Sequence, residues 1–307
     1  MTEATATATP ADRRGLIAGL ACYGVWGFLP LLFNAAEHSG AGVFEIVAWR
    51  TILSVPLALG LVWYVDRAAA FRMLLQRPGQ IALLALSATL IAINWTVYVW
   101  AVENGRTLSA SLGYYINPLV NMAAGALMFR ERINRTGQVA IGLAVIGVAI
   151  QGVALGQIPW ISLVLAFSFG GYGIVRKKAA ADAQTGLLVE CIILAVPALA
   201  YVGWLASAGH GAFGRSFTPT ALLILCGPAT VIPLALFGFA ARRLPLTLMG
   251  FLQFIAPTIQ FFIALWLGEK LTPAAAVSFA FIWAGVAVFV CGALWNARPA
   301  RTQLRQA

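Results

Sequence analysis

Polar side chains at helical spacing mark the candidate ligand-binding residues of this chain. Tyr114, Asn117 and Asn121 stand at positions i, i+3 and i+7 of an apolar segment, so they share one face of a helix. Hydroxyl and amide groups in apolar surroundings can bind a polar ligand, or they can hydrogen-bond a neighbouring helix. The first reading predicts a mostly apolar cavity with a few amides, and the second predicts helix packing.

A second segment repeats this arrangement near the other end of the chain. The stretch QFIAPTIQFFIALWLGEK resembles YYINPLVNMAAGALMFRER, and we interpret the resemblance as an internal duplication. We predict that the two helices face each other across the cavity, and that the two halves of the protein rock about their mid-span prolines. The matched pairs are Tyr114 with Gln253, Pro118 with Pro257 and Asn121 with Gln260.

Arg50 is the most costly residue to bury, because it lies within an apolar segment. Glu45 precedes it by about 7 Å along an ideal helix and points to another face, so a clean pair within the helix is not expected. Two readings remain open. Arg50 either pairs with a carbonyl or carboxylate elsewhere in the protein, or it binds an anionic group of the substrate.

Other aromatic and polar residues extend the candidate site. Asn94 and Tyr98 lie one helical turn apart, and cavity lining and helix packing are equally good readings of them. Trp26 and Tyr172 are further candidates for contact with a ligand. Pro30 shares a helical face with Trp26 and is a candidate hinge, because a proline within a helix removes one backbone hydrogen bond.

The composition predicts an all-α membrane protein. The 307 residues are 61% hydrophobic and 10% charged, with a mean hydropathy of +0.87, whereas soluble domains hold roughly 25% charged residues. Apolar stretches long enough to cross about 30 Å of hydrocarbon occur ten times. The predicted spans are 15–34, 43–65, 80–102, 107–129, 135–154, 157–175, 186–207, 219–240, 245–268 and 272–294.

The distribution of basic residues predicts the orientation of these spans. Nearly all of the 20 Lys and Arg residues fall in alternate loops and in the two tails, and Arg106, Arg215 and Lys270 are the exceptions outside the spans. Basic loops remain in the cytoplasm. Both termini are therefore predicted to be cytoplasmic, and because each repeat holds five spans, the second repeat is inverted relative to the first.

The predicted domain boundaries follow from the spans. Residues 1–14 form a low-complexity, disordered cytoplasmic tail, and residues 15–154 form the first five-helix repeat. Residues 155–297 form the second, inverted repeat, and residues 298–307 form a basic cytoplasmic tail.

Signatures of enzymes and cofactor sites are missing from the sequence. There is no Walker-type phosphate loop and no Cys/His cluster for a metal, so we predict no cofactor, no metal and no catalytic residue. The basic charge is explained by topology and does not indicate nucleic acid binding.

The acidic residues of the spans bear on the energy source. Glu45 and Glu190 lie toward the ends of their spans, and the side chain of Glu190 is expected to reach water. These positions favour facilitated transport, or coupling through an unusual group.

Several long motifs resemble the drug/metabolite transporter superfamily. The segments NWTVYVWAVENG, SASLGYYINPLVN, RKKAAADAQTGLLVE and GFLQFIAPTIQF are similar to the RarD-like branch of its EamA-type members, and the match spans nearly the whole chain. The resemblance implies a bacterial inner-membrane permease of two inverted five-helix repeats that works by alternating access. It also implies a central cavity lined mainly by spans 1, 3, 4, 6, 8 and 9.

The resemblance also bears on the substrate. Likeness to the YddG-type exporters of this superfamily implies export of aromatic and other amino acids with broad specificity. The RarD branch takes its name from chloramphenicol sensitivity, which implies a multidrug or general metabolite carrier as the alternative. A membrane-embedded enzyme that modifies lipids is a third reading, from outside this class. The expected partners are a small amphipathic substrate and the lipid bilayer.

Overall fold

The fold of the described chain is all-α, as the composition predicts. The computed structural model describes residues 13–129, 135–156, 158–241, 243–244 and 252–296, and within them helices and short connections alternate and no strand forms. Of the predicted tails at residues 1–14 and 298–307, residues 1–12 and 298–307 lie outside the described residues. Arg13 and Arg14, which we assigned to the first tail, instead begin the first helix.

The helices follow the predicted spans closely. Within the described residues, seven helical segments are long and apolar enough to cross a membrane, and further apolar helices are shorter. The helices are α1 (Arg13–His38), α2 (Val43–Tyr64), α3 (Ala68–Leu75), α4 (Pro78–Glu103), α5 (Thr107–Phe129), α6 (Arg135–Leu155), α7 (Trp160–Lys178), α8 (Ala183–Ser207), α9 (Phe217–Cys226), α10 (Pro228–Ala241), α11 (Ile255–Trp266) and α12 (Pro273–Asn296).

The predicted span 219–240 is not one continuous helix. It divides at Gly227 into α9 and α10, and Pro228 occupies the first position of α10. Proline suits a helix start because it has no backbone N–H to leave unpaired. Gly227 lies against α2, where an added Cβ would stand 2.7 Å from Leu53 Cβ, so the absence of a side chain lets the two backbones approach closely.

Helix α3 was not predicted as a separate element, because its eight residues are too few to cross a membrane. It lies between α2 and α4 and packs its apolar face inward through Phe71 and Leu74, while Arg72 is exposed. The helix is therefore a short amphipathic connection beside the membrane-spanning helices.

Helix packing follows a regular scheme. Helix α1 packs against α10 and α11, and α7 packs against α4 and α5. Helix α2 pairs with α8, α6 pairs with α12, and α5 contacts α11. Gly15 and Gly19, which are spaced for close helix packing, lie against Leu244 and Leu252, and a Cβ at Gly19 would stand 2.6 Å from Leu252 Cδ1.

The two ends of the bundle differ in charge. At one end the start of α1 meets Arg243, and the Ala180 amide of the α7–α8 connection donates to Gln80 Oε1 at 2.7 Å. We call this the basic end, because Arg67, Arg77 and Arg176 lie at the helix ends there. At the opposite end, which we call the far end, the Glu269 carboxylate accepts hydrogen bonds from the Thr107 and Leu108 amides at 2.5 and 2.9 Å and caps α5.

Candidate functional site

A cavity of about 430 Å³ lies between the helices. Residues of α1, α4, α5, α7, α10 and α11 line it, which are the helices that correspond to spans 1, 3, 4, 6, 8 and 9. Helices α2 and α8 also line the cavity, through Arg50 and Glu190 among others. The wall is mostly apolar with a few polar groups, as is usual for sites that bind small molecules.

The structure brings the predicted ligand-binding residues together. The members of that set that line the cavity are Trp26, Arg50, Asn94, Tyr98, Tyr114, Asn117, Tyr172, Gln253 and Gln260. Pro257 also lines the cavity, and Pro30 is buried within α1 away from the lining. The side chains of Asn121 and Pro118 lie outside the described residues, although their backbone belongs to α5.

Arg50 is buried without a carboxylate partner. Its side chain is 4% exposed, and Nε donates to Thr230 Oγ1 of α10 at 2.6 Å. The guanidinium carbon lies 4.1 Å from the Trp95 ring centroid, a cation–π contact. In the described part of the chain Nη1 has no hydrogen-bond partner and no ion pair forms at Arg50. The cation therefore retains capacity to bind an anion.

The amides of the cavity divide into satisfied and unsatisfied groups. Asn94 Nδ2 donates to Leu165 O and Ser168 Oγ, both at 3.0 Å, and Asn94 Oδ1 accepts from the Tyr114 hydroxyl at 3.0 Å. Asn94 thus joins α4 to α7 and α5 while it lines the cavity. In contrast, Asn117 Oδ1 is buried and has no partner among the described residues.

Two further unsatisfied groups lie on the cavity wall. Gln260 Nε2 donates to the Trp26 carbonyl at 3.1 Å, which leaves Gln260 Oε1 without a partner among the described residues. The Tyr98 hydroxyl also lacks one there, and its ring packs edge-on against Tyr114 at 5.3 Å. The cavity therefore offers one donor on Arg50, the acceptors of Asn117 and Gln260, and the Tyr98 hydroxyl.

Glu190 is the clearest difference from the sequence-based expectation. We expected its side chain to reach water near the end of its span, but the carboxylate is 2% exposed and lines the cavity. It accepts hydrogen bonds from Ser87 Oγ at 2.5 Å and from the Tyr172 hydroxyl at 3.3 Å, and Arg176 Nε lies 3.6 Å away. The expectation was wrong because α2, α4 and α7 cover this turn of α8.

Sequence reasoning missed several other residues of the site. Arg176 was read only as part of a basic cluster at the membrane surface, and Thr230 and Gln184 carry no periodic signal. The sequence did contain an indication that Glu190 is functional, because a carboxylate within a long apolar segment is costly to bury. That indication was missed because Glu190 lies close to the end of that segment.

Aromatic rings form much of the apolar wall of the cavity. Tyr23 and Trp26 of α1 pack edge-on at 5.6 Å, and both contact Phe237 of α10. Phe169 lies between Tyr114 and Tyr172. These rings give the cavity an apolar surface suited to an aliphatic or aromatic group of a ligand.

The cavity extends toward one end of the bundle. Its lining reaches Leu61, Arg176 and Ala183, which lie near helix ends at the basic end. Toward the far end, a packed cluster that includes Phe33 and Leu223 lies beyond Tyr98. The described conformation is therefore closed by side chains toward the far end.

A hydrogen-bonded contact also holds the far end together. The Glu45 carboxylate accepts from the Ala212 amide at 2.8 Å and from the Phe213 amide at 3.0 Å, and the Trp49 ring stacks on Phe213 at 3.8 Å. Glu45 thus ties α2 to the α8–α9 connection, which is a structural role.

Comparison with known proteins gives consistent matches along the chain. Residues 13–152 match the EamA-like transporter family. An uncharacterized transporter of Pseudomonas aeruginosa is 43% identical over 284 residues, which cover 92% of this chain and 95% of that protein. Protein RarD of Streptomyces exfoliatus is 40% identical over 298 residues, covering 96% and 94%. A crystal structure that is 18% identical has a TM-score of 0.60 over 94% of this chain and 99% of that chain, which shows a shared fold.

Proposed function

This chain belongs to the EamA-like transporter family, in its RarD-like branch, and we propose that it exports amino acids, aromatic and others, with broad specificity. It is a multi-pass bacterial membrane protein and a transporter, not an enzyme, since its relatives are transporters. The reading as a lipid-modifying enzyme is set aside for that reason. We propose the inner membrane as its location.

One observation carries the choice of substrate. Arg50 lines the cavity with a donor that has no partner among the described residues, in the same cavity as the unsatisfied oxygens of Asn117 and Gln260. A carboxylate can bind the first group and an ammonium can bind the other two. The aromatic wall suits an apolar side chain, so the cavity matches an α-amino acid zwitterion. Its volume of about 430 Å³ falls within the usual range for small ligands.

The packing scheme supports two inverted repeats of five spans at 15–154 and 155–297. We match the helices of the two repeats in chain order: α1 with α7, α2 with α8, α4 with α9–α10, α5 with α11, and α6 with α12. When each helix is replaced by its match, the contact between α1 and α10 becomes the contact between α7 and α4, which is also present. The same replacement turns α1–α11 into α7–α5, and it leaves α2–α8, α6–α12 and α5–α11 unchanged. This correspondence of contacts supports the proposed two-fold relation between the repeats.

This arrangement supports the proposal of alternating access. By the positive-inside rule the basic end faces the cytoplasm, with both termini there, so the described cavity extends toward the cytoplasm. Export then requires the basic end to close and the contacts of the far end to open. We propose that Pro118 and Pro257 act as hinges, and Pro30 as a third. The Ser111 hydroxyl donates to the Pro257 carbonyl at 2.7 Å and couples α5 to α11.

The first test is counterflow. Labelled phenylalanine, tryptophan, threonine or methionine is added outside liposomes that contain purified protein and an excess of unlabelled amino acid. We expect uptake well above that of protein-free liposomes. Asn117→Ala should raise the half-saturation concentration for uptake by about tenfold, since a hydrogen bond to a charged group contributes about 1.5–3 kcal/mol to binding. Tyr114→Ala should also lower uptake.

The matched control is Asn104→Ala. Asn104 is an exposed asparagine at the end of α4, and its side-chain Nδ2 donates a hydrogen bond to the Trp100 carbonyl. It should leave uptake unchanged. If no amino acid enters the liposomes, the proposed substrate class is wrong and the family assignment stands.

A multidrug or general metabolite carrier is the second candidate. The specific observation in its favour is the aromatic wall of Tyr23, Trp26 and Phe237, which would accept a flat amphipathic molecule without a carboxylate. The two functions differ at Arg50, because a neutral drug has no charged group for the guanidinium to bind.

A further inference from the structure

We propose that Glu190 carries the proton that drives export, so that the chain exchanges protons for substrate. The inference rests on the transport function proposed above and concerns its energy source. It replaces the expectation of facilitated transport, which assumed that Glu190 reaches water at the end of its span.

Glu190 has the placement that a proton carrier needs. Its carboxylate lines the cavity about two turns from the start of α8, within reach of the basic end, and is 2% exposed. A buried carboxylate persists as the anion only when donors and cations offset the cost of removing it from water. Here Ser87 and Tyr172 donate hydrogen bonds, and Arg176 supplies the positive charge.

The ion pair between Arg176 and Glu190 is loose. Arg176 Nε lies 3.6 Å from the Glu190 oxygen, which is longer than a hydrogen bond, and Arg176 Nη1 has no partner among the described residues. Arg176 Nη2 donates to the carbonyls of Asp182 and Ala183, at 3.2 and 3.4 Å. A small movement of α7 relative to α8 can therefore change the charge that the carboxylate experiences.

Other charged groups do not replace Glu190 in this role. Of the described helices packed against α8, α7 brings Tyr172 and Arg176, α2 brings Arg50 farther along the cavity, and α8 itself adds Cys191. The groups that α4 and α10 direct to the cavity are Ile91, Asn94, Trp95, Tyr98, Thr230, Leu234 and Phe237, with Ser87 beside the carboxylate. Among the described residues, Glu190 is the one carboxylate of the lining.

The acidic groups at the far end, of which Glu45 is buried, lie outside the cavity lining. Glu45 accepts hydrogen bonds from backbone amides, and Glu269 caps α5, both at the far end. Glu103 and Glu37 also lie at that end, outside the cavity lining. A proton that enters the cavity therefore meets Glu190 as its acceptor.

The step itself changes one bond. In the described conformation Arg176 stands beside the carboxylate, and its positive charge offsets part of the cost of burying the anion, so the proton can leave to the solution at the basic end. When the basic end closes and the far end opens, displacement of Arg176 removes the nearest cation. The carboxylate then takes one proton from the far side, which forms one O–H bond, and the return movement releases that proton at the basic end.

The experiment uses purified full-length protein in liposomes and two readouts. Exchange of labelled amino acid at equal pH measures substrate movement, and accumulation against a gradient, with a pH-sensitive dye inside, measures coupling. We expect the wild-type protein to show both. Glu190→Gln should retain exchange within about threefold and lose gradient-driven accumulation and proton flux at least tenfold, since glutamine keeps the shape and cannot carry a proton. Glu37→Gln, outside the cavity, is the matched control and should keep both.

The outcomes separate the two proposals. Wild-type exchange without proton flux, or full coupling in Glu190→Gln, would overturn the role of Glu190 and leave amino-acid transport intact. If wild-type protein exchanges no amino acid, infrared titration of the protein in detergent decides the matter without substrate. A carboxylic-acid band that titrates in the wild type and vanishes in Glu190→Gln supports proton binding, and its absence in the wild type would overturn it.

Discussion

Arg50 and Glu190 line the same cavity, but the protein surrounds them differently. Arg50 has a hydroxyl and an aromatic ring as neighbours, and no carboxylate in the described part of the chain. Glu190 has two hydroxyl donors and the nearby guanidinium of Arg176. An unpaired buried charge suits capture of an oppositely charged ligand, whereas a carboxylate with an adjustable counter-ion suits reversible protonation. The roles that we propose thus assign substrate binding and energy coupling to different residues of one cavity.

The largest effect is expected from removal of the Arg50 charge, which we propose binds the substrate carboxylate. Arg50→Gln should raise the half-saturation concentration for amino-acid exchange by about 10- to 100-fold, since a hydrogen bond between charged groups contributes about 1.5–3 kcal/mol. Exchange assays at equal pH measure this. Arg50→Lys should recover part of the loss, because it restores the charge without the planar donor geometry.

A substrate analogue makes that comparison sharper. An amine that corresponds to the amino acid without its carboxylate should compete equally well against wild-type protein and Arg50→Gln. A larger loss for the amine than for the amino acid would contradict binding of the carboxylate at Arg50.

An intermediate effect is expected where Arg176 of α7 lies against Gly186 of α8. Gly186 has no side chain, and a Cβ there would overlap the Arg176 guanidinium, so Gly186→Ala should displace the cation from Glu190. We expect gradient-driven accumulation to fall by about three- to tenfold while exchange at equal pH changes by less than about twofold, because loss of a nearby charge alters mainly the protonation of the carboxylate.

The chain offers a control on the same helix. At Gly203 of α8 an added Cβ would meet nothing within 4 Å, so Gly203→Ala should leave both readouts unchanged. Equal loss of coupling in the two variants would show that the effect comes from α8 itself and not from Arg176.

The smallest effects concern two neighbouring tyrosines near Arg50. Tyr114→Phe leaves Asn94 Oδ1 without its donor and should lower the free energy of unfolding by about 1 kcal/mol, seen as a lower Tm in detergent. Tyr98→Phe removes a hydroxyl that has no partner among the described residues and should leave Tm unchanged, while it weakens binding of a substrate that uses that hydroxyl. A larger loss of Tm for Tyr98→Phe would reverse this assignment.

Most of the helices and much of the site were predictable. Apolar length gave α1, α2, α4 and α6 to within a few residues, because transfer of apolar groups from water depends on composition along the chain. Helical spacing brought Tyr114 and Asn117 to one cavity face, and the similar segment around Gln253 and Gln260 supplied facing residues. The connecting helix α3 and the break at Gly227 were not predictable, because they depend on contacts with neighbouring helices.

The sequence by itself determined that this chain is a membrane protein with polar groups inside an apolar bundle, since hydropathy and helical periodicity are local properties. Only the tertiary structure decided how those groups are used. The side-chain amide of Asn94 forms hydrogen bonds with groups of α5 and α7, whereas Asn117 Oδ1 has no hydrogen-bond partner among the described residues. Glu190 is buried because α2, α4 and α7 cover it. The partners of a buried polar group depend on which helices pack around it, and that packing is set by the whole chain.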